Sequence, residues 1–254
     1  MFNIVTSYPK SGNTWLRFII YEIYFNFENN NYNSKNVEIF VPDFHKLIKN
    51  NKLVLDERLK NKKVFLKTHY DFSKMQNFNI DKIILILRNP LDVLSSIINY
   101  YDISNKNLDD VVNQFAKYHT LFNFKKNLNF PSYSEHLQSW VNSNKNILII
   151  NYDNLLKDFK KTVKELGIFL GESLDEKRIK IIEKNTCFDK LNNLEKYERE
   201  RNIDGFFTTS ISNKNSFMNK GKSKNYENIL NSNQIKKIQD SFSEIIEKYD
   251  LHNY

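Results

Sequence analysis

The run Tyr8-Pro9-Lys10-Ser11-Gly12-Asn13-Thr14-Trp15 constrains this chain more than any other stretch. It follows the β-branched segment Ile4-Val5-Thr6 and opens an apolar-periodic segment from Trp15 to Phe25, so it reads as the turn from a strand into a helix. Such a turn points several unpaired backbone N–H groups at one spot, beside the positive end of the helix dipole, and that geometry binds phosphate. Gly12 admits an anion without a Cβ in the way, and Lys10 brings a mobile positive charge. Ser11, Asn13 and Thr14 add short hydrogen-bonding side chains. The loop is not a Walker A sequence, in which lysine follows the last glycine and precedes Ser or Thr; here Lys10 comes before the loop's glycine.

Downstream, short apolar runs alternate with helical periodicity. Strands are expected at Phe2–Ser7, Val64–Thr68, Lys82–Leu87 and Asn146–Ile150, apolar throughout, as suits strands buried on both faces. Helices are expected at 14–25, 91–101, 108–121, 132–143, 155–170 and 176–184, with an amphipathic terminal helix at 233–248. The segment 193–219 has weak periodicity and reads as a long loop or lid. The alternation predicts a single α/β domain over residues 1–254, with a central parallel sheet and helices on both of its faces. Ligands of such sheets collect at the carboxyl ends of the strands.

Three predicted strand ends carry polar clusters: the phosphate loop, then Lys67-Thr68-His69, then Arg88-Asn89-Pro90-Leu91-Asp92 with Ser96 further on. They lie at one sheet edge, so Lys10, Lys67, His69, Arg88 and Ser96 should converge. Three cations and a hydroxyl beside a helix N-terminus suit a highly anionic ligand, and arginine adds a bidentate fork. His69, among these neighbours, is the proton-transfer candidate.

The net charge of +8 would also fit a nucleic-acid or membrane surface. The better explanation is codon drift: Lys, Asn, Ile, Phe and Tyr are abundant while Gly (5) and Pro (4) are scarce, as an AT-rich genome produces. The single cysteine, Cys187, forms no internal disulfide, fits a reducing compartment and is expected to pack as a small apolar residue. No leader-like segment opens the sequence and no apolar run reaches the length of a membrane span, so a cytoplasmic protein is expected.

These motifs resemble those of the sulfotransferases that use 3′-phosphoadenosine 5′-phosphosulfate (PAPS), the cytosolic-type family with many bacterial members. Tyr8 to Trp15 resembles the family's 5′-phosphosulfate loop, Arg88-Asn89-Pro90 through Ser96 its 3′-phosphate motif, and Lys67-Thr68-His69 its catalytic strand end. Tyr152-Asp153, Thr186-Cys187-Phe188 and Phe217 to Gly221 follow in the family's order, and the resemblance runs from residue 2 to about 230.

The resemblance implies a P-loop-like fold and a set of roles. Lys10 would stabilise charge on the bridging oxygen, the amides from Ser11 to Thr14 with Gly12 and Asn13 would cradle the 5′-phosphate, and Trp15 would stack near the adenine. Arg88 and Ser96 would hold the 3′-phosphate, with Ser96 restraining Lys10. Tyr152, Thr186, Phe188, Asn219, Lys220 and Gly221 would complete the nucleotide site. His69 would take the acceptor's proton, with Lys67 stabilising the transferring group; no metal is required. The acceptor would be a hydroxyl, ahead of an amine, on a small molecule or glycan. Where the family places arginine this chain has Asn219, which lacks the guanidinium's charge and fork. His136, four residues before Trp140, either borders the acceptor cavity or packs in the core. The rival readings are a P-loop nucleotide or small-molecule kinase and a non-catalytic polyanion-binding module.

Overall fold

Four of the apolar runs pair in parallel in the computed structural model, which describes residues 1–25, 32–49, 52–103, 107–121, 130–208, 216–218 and 221–252. Strand β1 (Phe2–Thr6) leads through helix α1 (Asn13–Tyr24), α2 (Ser34–Phe40), α3 (Phe44–Leu47) and a small hairpin of β2 (Ile48–Lys49) and β3 (Lys52–Leu53) to β4 (Val64–Thr68). Strand β5 (Ile80–Leu87), helices α4 (Pro90–Tyr101), α5 (Leu108–Tyr118) and α6 (Tyr133–Val141), and strand β6 (Asn146–Asn151) follow. The sheet order is β4-β1-β5-β6. The chain thus places β4 on one side of β1 and returns to lay β5 on the other, and this reversal opens a crevice at the carboxyl end of β1.

Residues alternate between two cores, as a strand buried on both faces requires. Ile4, Leu66, Ile83 and Leu85 pack against α4, α5 and α6, while Val5, Phe65, Ile84 and Ile86 pack against α1 and the later helices. The expected strand positions are met, with β5 starting two residues earlier.

The helices depart from the expected pattern in three places. The run predicted as one helix from Leu155 is two, α7 (Tyr152–Lys157) and α8 (Phe159–Leu170), because Asp158 leaves helical geometry and its carboxylate caps α8 by accepting from the Lys161 amide. After α9 (Glu176–Thr186), the segment expected as loop from Asn193 continues a helix, α10 (Phe188–Glu200). Its buried stripe is Leu191, Glu195 and Glu198, so two of its inward positions are charged and the hydrophobic period is hidden. Glu195 accepts the amides of Phe217 (2.6 Å) and Met218 (2.7 Å), and Glu198 accepts the Ser34 amide (2.7 Å). The terminal helix divides into α11 (Ser232–Ser241) and α12 (Ser243–Lys248) at Phe242, whose ring is buried against Phe115, His119 and Tyr133.

Asn89 fixes the end of β5. Its side chain accepts from the Leu91 amide (2.8 Å) to cap α4, with Pro90 at the first helical position, and donates to the Leu251 carbonyl (2.7 Å). Asn89→Ala should therefore lower the unfolding free energy by about 2 kcal/mol, the sum of a lost cap and a lost buried hydrogen bond. Urea titration reads this directly; a change below about 0.5 kcal/mol would show that Asn89 carries neither.

Candidate active site

At the carboxyl end of β1 the chain makes the phosphate turn with two residues in left-handed backbone geometry, Lys10 (φ 68°) and Gly12 (φ 101°). Gly12 is required there twice over: any Cβ would sit 2.4 Å from the Tyr152 ring as well as straining the backbone. No side chain caps α1, and the first helical amide to bond back is that of Leu16, to the Gly12 carbonyl (3.2 Å). The amides ahead of it remain available to an anion.

This turn forms one wall of a cavity of about 570 Å³. Of the residues expected at the site, Lys10, Gly12, Asn13, Thr14 and Trp15 line it from the turn, and Lys67, His69, Arg88 and Ser96 from the neighbouring strand ends and α4. Tyr152, Thr186, Phe188 and Gly221 line it as well. Ser11 is buried within the turn, its Oγ without a partner among the described residues. Asn219 and Lys220 lie outside the described residues.

Lys10 is parked rather than paired. Its Nζ lies 3.9 Å from the Tyr100 ring centre and 4.7 Å from that of Phe217, the residue Glu195 holds in place. Burial, then repulsion from Arg88, pull its pKa down to about 7 against the attraction of Glu195. Arg88 donates to the carbonyls of Lys10 (3.2 Å) and Lys222 (3.1 Å) and lies 4.3 Å over the Tyr152 ring. Its buried Nε has no partner among the described residues. The segment from Lys222 is docked on α4, where Asp92 accepts the amides of Lys224 (3.2 Å) and Asn225 (3.3 Å). Gly221 is pressed against Phe188, the ring a Cβ there would strike at 2.2 Å. Trp15 stacks with Phe159 (6.0 Å, 27°) and meets Tyr152 edge-on (5.7 Å).

His69 follows directly on Thr68, the last residue of β4 paired with β1. Its Nδ1 lies 2.7 Å from the Ser7 carbonyl, an acceptor, so Nδ1 carries the proton and Nε2 holds a free lone pair. Asn13 donates to Ser7 Oγ (3.1 Å), which tethers the histidine support to the phosphate turn. Burial, followed by the nearby charge of Lys67, holds the His69 pKa well below its usual value, so the ring is neutral at pH 7. Lys67 is paired with Asp43, 2.5 Å from Nζ to Oδ2, and Asp43 also receives His45 Nδ1 (2.7 Å).

Two expectations for other residues are settled by burial. His136 is 1% exposed and bonds Thr6 Oγ1 (3.0 Å), so it belongs to the core, where burial drives its pKa down to about 3. Cys187, expected to pack as an apolar residue, is exposed instead, because it stands in extended geometry at the junction of α9 and α10 and lies on the cavity rim. Asp43, His45, Tyr100 and Arg17 were not anticipated as wall residues; Arg17 alone left a trace in the sequence, a charge inside the apolar run of α1.

The chain matches the sulfotransferase domain family over residues 3–250. It is 28% identical to sulfotransferase 2A2 of Rattus norvegicus over 232 residues, which cover 89% of this chain and 77% of that protein. It is 32% identical to sulfotransferase 2A6 of Mus musculus over 130 residues, 50% of this chain and 45% of that protein; it spans about half the length of several curated relatives. Mouse sulfotransferase SULT7A1 complexed with PAP superposes with a TM-score of 0.65 at 22% identity, covering 98% of this chain and 85% of that one. Retinol dehydratase in complex with androsterone and inactive cofactor PAP gives 0.73 at 18% identity, covering 99% and 82%. With its phosphate turn at the β1 reversal and a family match over nearly its whole length, the chain belongs to the sulfotransferase domain family.

Proposed function

We propose that this protein transfers a sulfuryl group from PAPS to a hydroxyl, ahead of an amine, of a small molecule or glycan, and that it does so in the cytoplasm. PAP (adenosine 3′,5′-bisphosphate) is the nucleotide left after transfer. The observation that carries the reading is the neutral His69, its Nδ1 tied to Ser7 and its Nε2 free, in the same cavity as Lys10 and Arg88. The fit to a doubly phosphorylated nucleotide is supported by the uncapped first turn of α1 and by the unpartnered Arg88 Nε. It is supported too by the Trp15, Tyr152 and Phe159 rings, which offer an apolar seat for a base.

Bound PAPS supplies an activated sulfuryl group on a leaving phosphate. The amides of Gly12, Asn13 and Thr14, joined by that of Trp15, hold the 5′-phosphate, and Arg88 with Ser96 holds the 3′-phosphate. The Ser11 amide, expected to share in the cradle, is engaged by the Tyr8 carbonyl (3.3 Å). Lys10, already beside the turn, leaves the Tyr100 and Phe217 rings and places its charge where negative charge grows as the S–O bond breaks. His69 Nε2 receives the acceptor's hydroxyl proton as that oxygen attacks in line, and Ser7 keeps the ring oriented. Lys67, held by Asp43, adds positive potential beside the transferring group. Positioning and electrostatics supply most of the rate, as in phosphoryl transfer.

Transfer of labelled sulfate from PAPS to a panel of hydroxyl acceptors tests the reading, and absence of transfer to every member alongside absent PAP binding would refute it. His69→Ala should lower turnover by about 10²- to 10⁴-fold with PAP affinity retained; undiminished turnover would remove His69 as the base.

The pH profile carries a further expectation. Rate requires neutral His69, so on the acid side activity falls as pH drops through its lowered pKa, and the acid limb should lie below the ordinary histidine value of 6.5. Lys67→Met removes a repelling charge and leaves Asp43, so the limb should move upward in pH; an unmoved limb would contradict the coupling.

Lys10, lowered to about 7, is largely neutral at pH 8, and a bound phosphate restores its charge. PAP binding at pH 8 should then take up a proton and weaken as pH rises above 7, and Lys10→Met should abolish the uptake. Calorimetry in buffers of different ionisation enthalpy measures this, and proton release would contradict it.

A further inference from the structure

One buried cation of the cavity has no part in the proposed chemistry. Arg17, in the second turn of α1, is 5% exposed and lines the cavity wall. Its Nε donates to the Val41 carbonyl (2.8 Å), and its guanidinium carbon lies 4.9 Å from the Phe206 ring centre. Its Nη2 is buried and has no hydrogen-bond partner among the described residues. A guanidinium taken out of water with a donor unpaired is costly to the fold, and such groups are retained where a ligand completes them.

The nearby carboxylates are already engaged. Asp43 holds Lys67 through Oδ2 and His45 through Oδ1, and Glu38 is paired with Lys46. The Val41 bond also fixes which end of the cavity Arg17 serves. Val41 opens the strap whose Pro42 carbonyl accepts the Lys67 amide (2.8 Å) and whose Asp43 holds the Lys67 ammonium, so Arg17 stands with Lys67 and His69. Arg88, by contrast, is tied to Lys10 and Lys222.

We propose that Arg17 is the anchor for an oxyanion on the acceptor, so that the molecules this protein sulfates carry a carboxylate placed to leave their hydroxyl at His69. This rests on the sulfotransferase reading above. The guanidinium fork matches a carboxylate bidentately, which orients the acceptor as well as holding it. A site with a buried donor rejects an analogue that cannot satisfy it, and here the rejected analogue is the neutral one. Two sources of the same chemistry fit, an aromatic hydroxy acid and an acidic sugar.

The test uses the PAP-loaded protein and two matched pairs, 4-hydroxyphenylacetate against its amide and glucuronate against glucose, titrated by calorimetry. The carboxylate of at least one pair should bind about tenfold or more tightly than its neutral partner, and which pair does so identifies the source. Arg17→Met should erase that difference while PAP affinity stays within about twofold, and Arg17→Lys should keep part of it. Retained PAP affinity also shows that each variant is folded. Equal binding within both pairs, no binding of either carboxylate, or a preference that survives Arg17→Met would overturn the proposal. So would Arg17→Met weakening PAP by tenfold, which would assign the residue to the nucleotide. Failure of the unmutated protein to bind PAP would instead bring down the sulfotransferase reading itself.

Discussion

The backbone between Thr6 and Asn13 must reverse from an extended strand into a helix within six residues, beneath the Tyr152 ring, and the rest of the site hangs on how it does so. It uses two left-handed residues, and at Gly12 the ring leaves no room for a Cβ. That tight passage brings the Lys10 carbonyl to Arg88 and lets the Asn13 side chain hold Ser7, whose own carbonyl orients His69. The uncapped start of α1, the Arg88 guanidinium and the His69 ring are therefore positioned together by one turn. The turn is possible because β1 is flanked by β4 and β5, which deliver His69 and Arg88 to either side of it.

Electrostatics follow from burial. The cavity gathers Lys10, Arg17, Lys67 and Arg88, and the structure handles each cation differently. Lys67 has a carboxylate, Arg88 has two carbonyls and a ring, Lys10 has two rings and an easily lost proton, and Arg17 has one carbonyl, one ring and the attraction of Asp43 and Glu38. The repulsion among them is a cost to the folded chain, and polyanionic ligands relieve it, so affinity and stability should rise together when such a ligand binds.

The sheet was legible because its strands are buried on both faces, which makes them continuous apolar runs, and because each strand end carries a polar cluster that stands out against them. The phosphate turn, Lys67-Thr68-His69 and Arg88 through Ser96 were readable for that reason. Helix α10 was not, since its inward stripe holds Glu195 and Glu198, whose role is to grip the backbone at Phe217 and Met218 and at Ser34. The breaks at Asp158 and Phe242 were hidden by uninterrupted helical periodicity on either side. Asp43 and His45 reach the site from a connection of little periodicity, so only the fold could bring them to Lys67 and the cavity wall.

The central claim is that the turn and Arg88 together hold two phosphates on one nucleoside. Titration of the magnesium-free protein with PAP and with adenosine 5′-monophosphate, in the presence of a chelator, tests it most directly. The account predicts that PAP binds at least about a hundredfold more tightly, the worth of the 3′-phosphate's charge-assisted hydrogen bonds. Equal affinity for the two nucleotides, or tight binding only of ATP with magnesium, would contradict it.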